Sequence, residues 1–136
     1  MNGTPVTSRV RCDGTVTANL AVSAGLVRLD ARLDRPVAFL PGQFAMLNVT
    51  GSGMLVFSRP FSILAADGPS VSFLYRVVGR GTAALRGLQP GNRLCFLGPL
   101  GRPFPGPAPA APAVLVAGGV GLPPVHAWLE RHGGDR

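Results

Sequence analysis

Val27-Arg28-Leu29-Asp30-Ala31-Arg32-Leu33 alternates apolar and charged residues without a break. Successive side chains of a strand point to opposite faces, so Val27, Leu29, Ala31 and Leu33 share one side and the charges share the other. The pattern predicts a strand with one buried and one wet face. Upstream, residues 6–12 and 15–22 read as strands flanking Asp13-Gly14, a two-residue hairpin signal. Downstream, Pro41-Gly42 turns the chain into an apolar strand over 43–49. Asp67-Gly68-Pro69 precedes a β-favouring run over 71–78, and Gln89-Pro90-Gly91-Asn92 leads into a last strand over 93–97. Six or seven short strands parted by Gly, Pro and Asp turns predict a barrel or sandwich. One short helix is expected over 81–87, with Thr82 as N-cap and Gly87 at its end.

Composition bounds what such a domain can do. The chain has 136 residues, 46% hydrophobic and 14% charged, enough to bury a core in one ordinary domain or slightly less than two. No apolar run approaches the roughly 20 residues of a membrane-spanning helix, and no signal pattern opens the chain, so a cytoplasmic protein is expected. The net charge of +7 comes from 13 basic residues, all arginine, which are spread along the chain and form no block. That distribution sets nucleic acid aside and leaves a basic surface suited to an anionic cofactor or an acidic partner.

Cys12 and Cys95 are far apart and can supply neither a cluster nor a zinc motif, so they read as small core residues. The six acids and two histidines build no paired carboxylates and no nucleophile–base set, so no catalytic residue and no metal site is expected. His126, Trp128 and His132 read as helix-surface and packing residues. Any chemistry must come from a bound cofactor, with the protein supplying position and electrostatics.

The composition then shifts. Residues 103–112 are rich in Pro, Ala and Gly and read as a linker. Ala113-Val114-Leu115-Val116-Ala117 is a wholly apolar run of the kind buried in a parallel sheet. It leads into Gly118-Gly119-Val120-Gly121 and a helix over 122–131 with Pro123 near its first turn. Strand, glycine turn and helix open a nucleotide-binding α/β domain. The expected organisation is a barrel over 1–102, a linker over 103–112 and the start of a second domain over 113–136.

Four boxes carry chemistry. Arg59-Pro60-Phe61-Ser62, straight after Met54-Leu55-Val56-Phe57, sets a guanidinium fork, a fixed φ, an aromatic ring and a hydroxyl side by side. Such a fork suits a pyrophosphate, and the hydroxyl suits the edge of a redox ring. Alone, the stretch is equally a strand start with a surface arginine. Leu74-Tyr75-Arg76 lies in a strand, Tyr75 pointing opposite to its neighbours. Gly81-Thr82 opens the short helix, where free N–H groups suit a phosphate or are simply capped. Gly98-Pro99-Leu100-Gly101 reads as a turn leaving the barrel.

In this order the boxes resemble the flavin domain of the ferredoxin–NADP reductase superfamily. Leu74 to Thr82, Gly98 to Phe104 and Pro41-Gly42-Gln43-Phe44 resemble the electron-transfer subunits of NAD-dependent dihydroorotate dehydrogenase within it. The resemblance implies a mainly β fold: an antiparallel six-stranded Greek-key FAD-binding barrel followed by the first βα unit of an incomplete nucleotide-binding α/β domain. It implies FAD held by Arg59, Pro60, Phe61, Ser62, Leu74, Tyr75, Arg76, Gly81 and Thr82, and a partial NAD loop at Gly118, Gly119 and Gly121. It implies a catalytic dihydroorotate dehydrogenase subunit as heteromeric partner, with electrons passed toward NAD in pyrimidine biosynthesis. Full-length relatives carry a 2Fe–2S centre whose ligands are absent here, so the chain reads as a truncated or split form. Two alternatives stand beside this: a subunit of another ferredoxin–NAD(P) or hydrogenase-type reductase, and a non-catalytic flavin-binding barrel.

Overall fold

The computed structural model describes residues 7–50, 58–109 and 112–133. Six strands, β1 (Val10–Ser23), β2 (Leu26–Leu33), β3 (Phe44–Val49), β4 (Arg59–Asp67), β5 (Ser70–Arg76) and β6 (Arg93–Leu100), close into one barrel. Their order around it is β1-β2-β5-β4-β3-β6, and every pairing is antiparallel. The short helix α1 (Arg80–Arg86) links β5 to β6, and α2 (Leu122–His132) follows the barrel. The expected run Met54–Phe57 lies outside the described residues, as do Val6 and residues 110–111 of the Pro/Ala-rich stretch.

The alternation in β2 becomes the core. Val27, Leu29, Ala31 and Leu33 are buried and meet Ile63, Val71, Phe73, Leu94 and Phe96 from other strands. Full burial of such side chains contributes about 1.5–3 kcal/mol each, and closure leaves no open edge in the barrel. Cys12 packs half-buried against this core, where burial pushes its thiol up, and neither cysteine is in a disulfide.

Asp13-Gly14 makes no hairpin. Both residues lie inside β1, which pairs with β6 through Val10–Thr15 and with β2 from Gly14 onward. A Cβ on Gly14 would come within 2.8 Å of Leu33 Cδ2, so the glycine serves a close approach of strands and not a turn. The hairpin sits instead at Ala24-Gly25, where Gly25 has φ +77°. Arg93 reinforces the closing seam, donating to Thr15 Oγ1 at 2.9 Å and to both oxygens of Asp34 at 3.2 and 2.8 Å. That bonding holds the Asp34 carboxyl below its ordinary range, although both groups are exposed and the pair adds little stability.

The apolar run Ala113–Ala117 forms no strand either. Val114 and Val116 are 85% and 84% exposed, because the described residues offer no neighbouring strand to complete a parallel ladder. The helix after it does form. Pro123 and Pro124 occupy the first turn, where a missing N–H costs nothing. Pro123, Ala127 and Trp128 form its buried face, and the helix lies against β4. The Pro-rich stretch is fastened on both sides: the Phe104 amide donates to Pro41 O at 2.8 Å, and Trp128 Nε1 donates to Pro105 O at 2.8 Å. Among the described residues no helix is long and apolar enough to cross a membrane.

Gly98 marks the tightest approach of β3 and β6. A Cβ there would lie 2.9 Å from Ala45 Cβ, 3.1 Å from Ala45 Cα and 3.2 Å from Phe44 O. Two of these atoms are backbone and cannot rotate away. Gly98→Ala is therefore expected to lower stability by roughly 1–3 kcal/mol, read as an earlier urea midpoint with unchanged slope. An unaltered midpoint would show that this seam has room.

Candidate functional site

Strands β4 and β5 run side by side, and their outward residues make one wall. On β4 the inward positions are Phe61 and Ile63, both buried in the core, so Pro60 and Ser62 face out. On β5 Phe73 and Tyr75 face in, and Leu74 and Arg76 belong to the opposite face. The Tyr75 ring meets Phe61 edge-on at 5.9 Å, a pair that stiffens the wall from inside. Its phenol is pushed up mainly by burial, partly offset by a hydrogen bond to Asn19 and by the charge of Arg86. Tyr75 therefore stays a neutral donor.

The chain after β5 folds over this wall. Thr82 is the third residue of α1 and not its N-cap, a place taken by Gly79. Its buried hydroxyl accepts from the amides of Val78 at 2.9 Å and Gly79 at 3.1 Å, and donates to Gly79 O at 3.1 Å. A Thr side chain at this offset reaches back to the helix entry, so the expected cap acts one turn from where the sequence suggests. Gly81 is buried beside Arg59, and a Cβ on it would lie 3.0 Å from Arg59 Nε. The guanidinium thus rests against the Gly81 backbone. Arg59 makes no salt bridge to another described residue.

A cavity of about 360 Å³ opens here, lined by Arg59, Pro60, Phe61, Ser62, Leu74, Tyr75, Arg76 and Thr82, with Val78 and Val120. Of the residues expected to hold a flavin, Gly81 alone does not line it, and Gly81 supports Arg59 from behind. Val78 and Val120 were not among the expected site residues, though Val120 stands between glycines of the expected loop. The glycine loop enters as a single 3₁₀ turn over Gly119–Gly121, which brings Val120 to the cavity. Gly119 has φ +55°, and a Cβ on it would lie 3.6 Å from Arg76 Nη2, so Gly119 and Arg76 stand next to each other.

A larger cavity of about 530 Å³ lies between α2 and the barrel, lined by Val37, Phe39, Leu64, His126, Glu130 and Arg131 among others. It contains none of the expected boxes. The smaller cavity gathers the sequence boxes, and an apolar floor, a hydroxyl and two arginines converge in it. Trp128 is packed against Pro105 and His132, and His126 lies 4.0 Å from Glu130 on the surface of α2, in keeping with their expected roles.

No family model matches the chain. The electron-transfer subunit of dihydroorotate dehydrogenase B from Bacillus velezensis is 43% identical over 97 residues, 67% of this chain and 37% of that subunit. The same subunit from Clostridium acetobutylicum is 36% identical over 110 residues, 81% of this chain and 44% of its own length. Over the part that it spans, the chain is a relative of the dihydroorotate dehydrogenase B electron-transfer subunits. The chain thus spans less than half the length of these relatives. Among solved structures, the ferredoxin reductase in carbazole 1,9a-dioxygenase superposes with a TM-score of 0.81 at 26% identity, covering 93% of this chain and 40% of that one.

Within this fold, Thr82 fixes the loop that roofs the wall. Thr82→Val keeps the volume and removes the bonds to Val78 and Gly79. Hydrogen exchange at those two amides should lose protection by roughly 5- to 10-fold, with the core strands unaffected. Unchanged protection would mean that the loop is held by something else.

Proposed function

We propose that the chain is the flavin-carrying portion of such a subunit and holds FAD along the outer wall of β4 and β5. One observation carries the reading: the separate sequence boxes at 59–62, 74–76 and 82 line a single cavity. The fit to a dinucleotide rests on Arg59. Its guanidinium lies on a glycine that no side chain could replace without crowding it, and it makes no salt bridge to another described residue. A fork so placed can take a pyrophosphate by two parallel, charge-assisted bonds.

Each residue then has a task. Pro60 fixes the backbone beside the fork, and half-buried Ser62 offers a hydroxyl to the edge of the isoalloxazine. Leu74 gives the ring an apolar surface, backed by the Phe61–Tyr75 pair. Thr82 shapes the 78–79 turn, and Val120 limits access from the opposite side. Bound FAD supplies the redox chemistry, accepting and releasing electrons singly or as a hydride. The protein's part is to bind, orient and exclude water.

The finer route is read from the relatives. Electrons would come from a catalytic dihydroorotate dehydrogenase subunit and leave toward NAD, within pyrimidine biosynthesis in the cytoplasm. Gly118, Gly119 and Gly121 would form part of the NAD loop, at the start of α2, where backbone amides can approach phosphate closely. Cys12 and Cys95 cannot supply the four ligands of a 2Fe–2S centre, so this stretch of chain does not hold one.

Titration with FAD, followed by the visible flavin spectrum, tests the reading. Wild-type protein should bind FAD, and Arg59→Ala should weaken it on the order of 10- to 100-fold, with Arg59→Lys recovering only part. Riboflavin, which lacks the pyrophosphate, should bind both forms about equally. Equal FAD affinity in Arg59→Ala would sink the pyrophosphate assignment.

A further inference from the structure

Asn19 is a polar residue at an inward position of β1, buried at 8% exposure, and it does not line the flavin cavity. Its side chain is fully used. Nδ2 donates to Leu85 O at 2.8 Å and to Leu88 O at 3.0 Å, and Oδ1 accepts from the Tyr75 hydroxyl at 3.0 Å. From outside, Arg86 Nη1 donates to the backbone oxygen of Asn19 at 3.3 Å. One amide thus joins β1, the end of α1 and β5.

These elements carry the two halves of the proposed site. Tyr75 stands under the ring wall with Phe61. Helix α1 carries Gly81, against which Arg59 rests, and Thr82, which shapes the roof. We propose that Asn19 is a positioning residue of the flavin site, setting the spacing between the ring wall and the Arg59–Gly81 phosphate cradle and so favouring a flavin dinucleotide over a flavin without one. The proposal rests on the FAD reading above.

The geometry explains why an amide is needed. Leu85 lies in the last turn of α1 and its carbonyl accepts from the Leu88 amide at 3.1 Å; Asn19 adds a second donor there and also serves the Leu88 carbonyl beyond the helix. The Tyr75 hydroxyl is a donor and requires an acceptor. Asn carries both donor and acceptor on one short, rigid group, whereas Asp would set a carboxylate against two carbonyls and Leu would remove the bonds to all three partners. Tyr75 and α1 are thereby held at a fixed distance through β1, the most extensively paired strand of the barrel. Loss of the link frees α1 to shift relative to the wall. A ligand touching only the wall is indifferent to that shift. One that spans wall and cradle is not.

The test compares FAD and riboflavin affinities in wild type, Asn19→Ala and Asn19→Ser. Asn19→Ser keeps a small polar side chain at this position but cannot reach both α1 and Tyr75, so it decides the matter if Asn19→Ala does not fold. The expected result is a 5- to 10-fold fall in the ratio of FAD to riboflavin affinity in each folded variant, with riboflavin binding changed by less than about twofold. A merely structural role would lower thermal stability and leave that ratio alone. Wild type that binds no flavin overturns the FAD reading and this proposal together. Wild type that binds FAD, with the ratio preserved in folded variants, overturns this proposal alone.

Discussion

Everything in this molecule depends on β1 being shared. Its first half is hydrogen-bonded to β6 and its second half to β2, with Gly14 and Thr15 paired on both sides. A strand used twice closes the sheet, removes its edges and forces the inward side chains into one core. The close approach this demands is met by glycine at the seams, Gly14 against Leu33 and Gly98 against Ala45. Because closure makes the barrel stiff, its outer surface can serve as a template. The wall of β4 and β5 is such a surface, and it holds exposed arginines and a hydroxyl in place without burying them.

The legible and illegible parts of the sequence divide along a physical line. Strict alternation in Val27–Leu33 named its own buried face, since a period of two has a single structural meaning. The Arg59 box and Leu74–Arg76 were also legible, because neighbouring strands bring residues with fixed direction onto one wall. Asp13-Gly14 misled for the opposite reason. A turn signal reports what a dipeptide permits, and pairing with two neighbours decided otherwise. The run Ala113–Ala117 misled similarly: hydrophobicity marks a need for burial but cannot supply the strand beside it. Asn19 left no trace, since strict alternation groups it with Thr15 and Thr17 opposite Val16, and the irregularity in β1 between Val16 and Ala18 is what turns it inward.

Charge is partitioned in a way that separates scaffold from site. Arg28 is paired with Asp30 and Arg93 with Asp34, and neither arginine lines the cavity at Arg59. Arg59 and Arg76 line the cavity and make no salt bridge to another described residue. A paired guanidinium has its donors filled, whereas one without an anionic partner keeps its attraction for an anion. With 13 arginines against six acids, most cations in this chain cannot have an acid of their own, so surplus charge alone distinguishes nothing. What sets Arg59 apart is its support. The Gly81 backbone limits where the guanidinium can go, and a confined fork loses less entropy when it binds.

The polar groups buried near the wall follow the same logic. Thr82 and Asn19 are among the few buried polar side chains of the described residues, and each bonds backbone groups at one end of α1. Their net contribution to stability is small, about 0.5–1.5 kcal/mol per bond, but leaving those groups unsatisfied costs more. Such groups favour one arrangement over its near neighbours more than they favour folding itself. Apolar burial is non-directional, so the contact of Leu85 with the core fixes the position of α1 less sharply than bonds do. The core therefore supplies the stability of the barrel, and these two residues decide where the helix carrying Gly81 comes to rest.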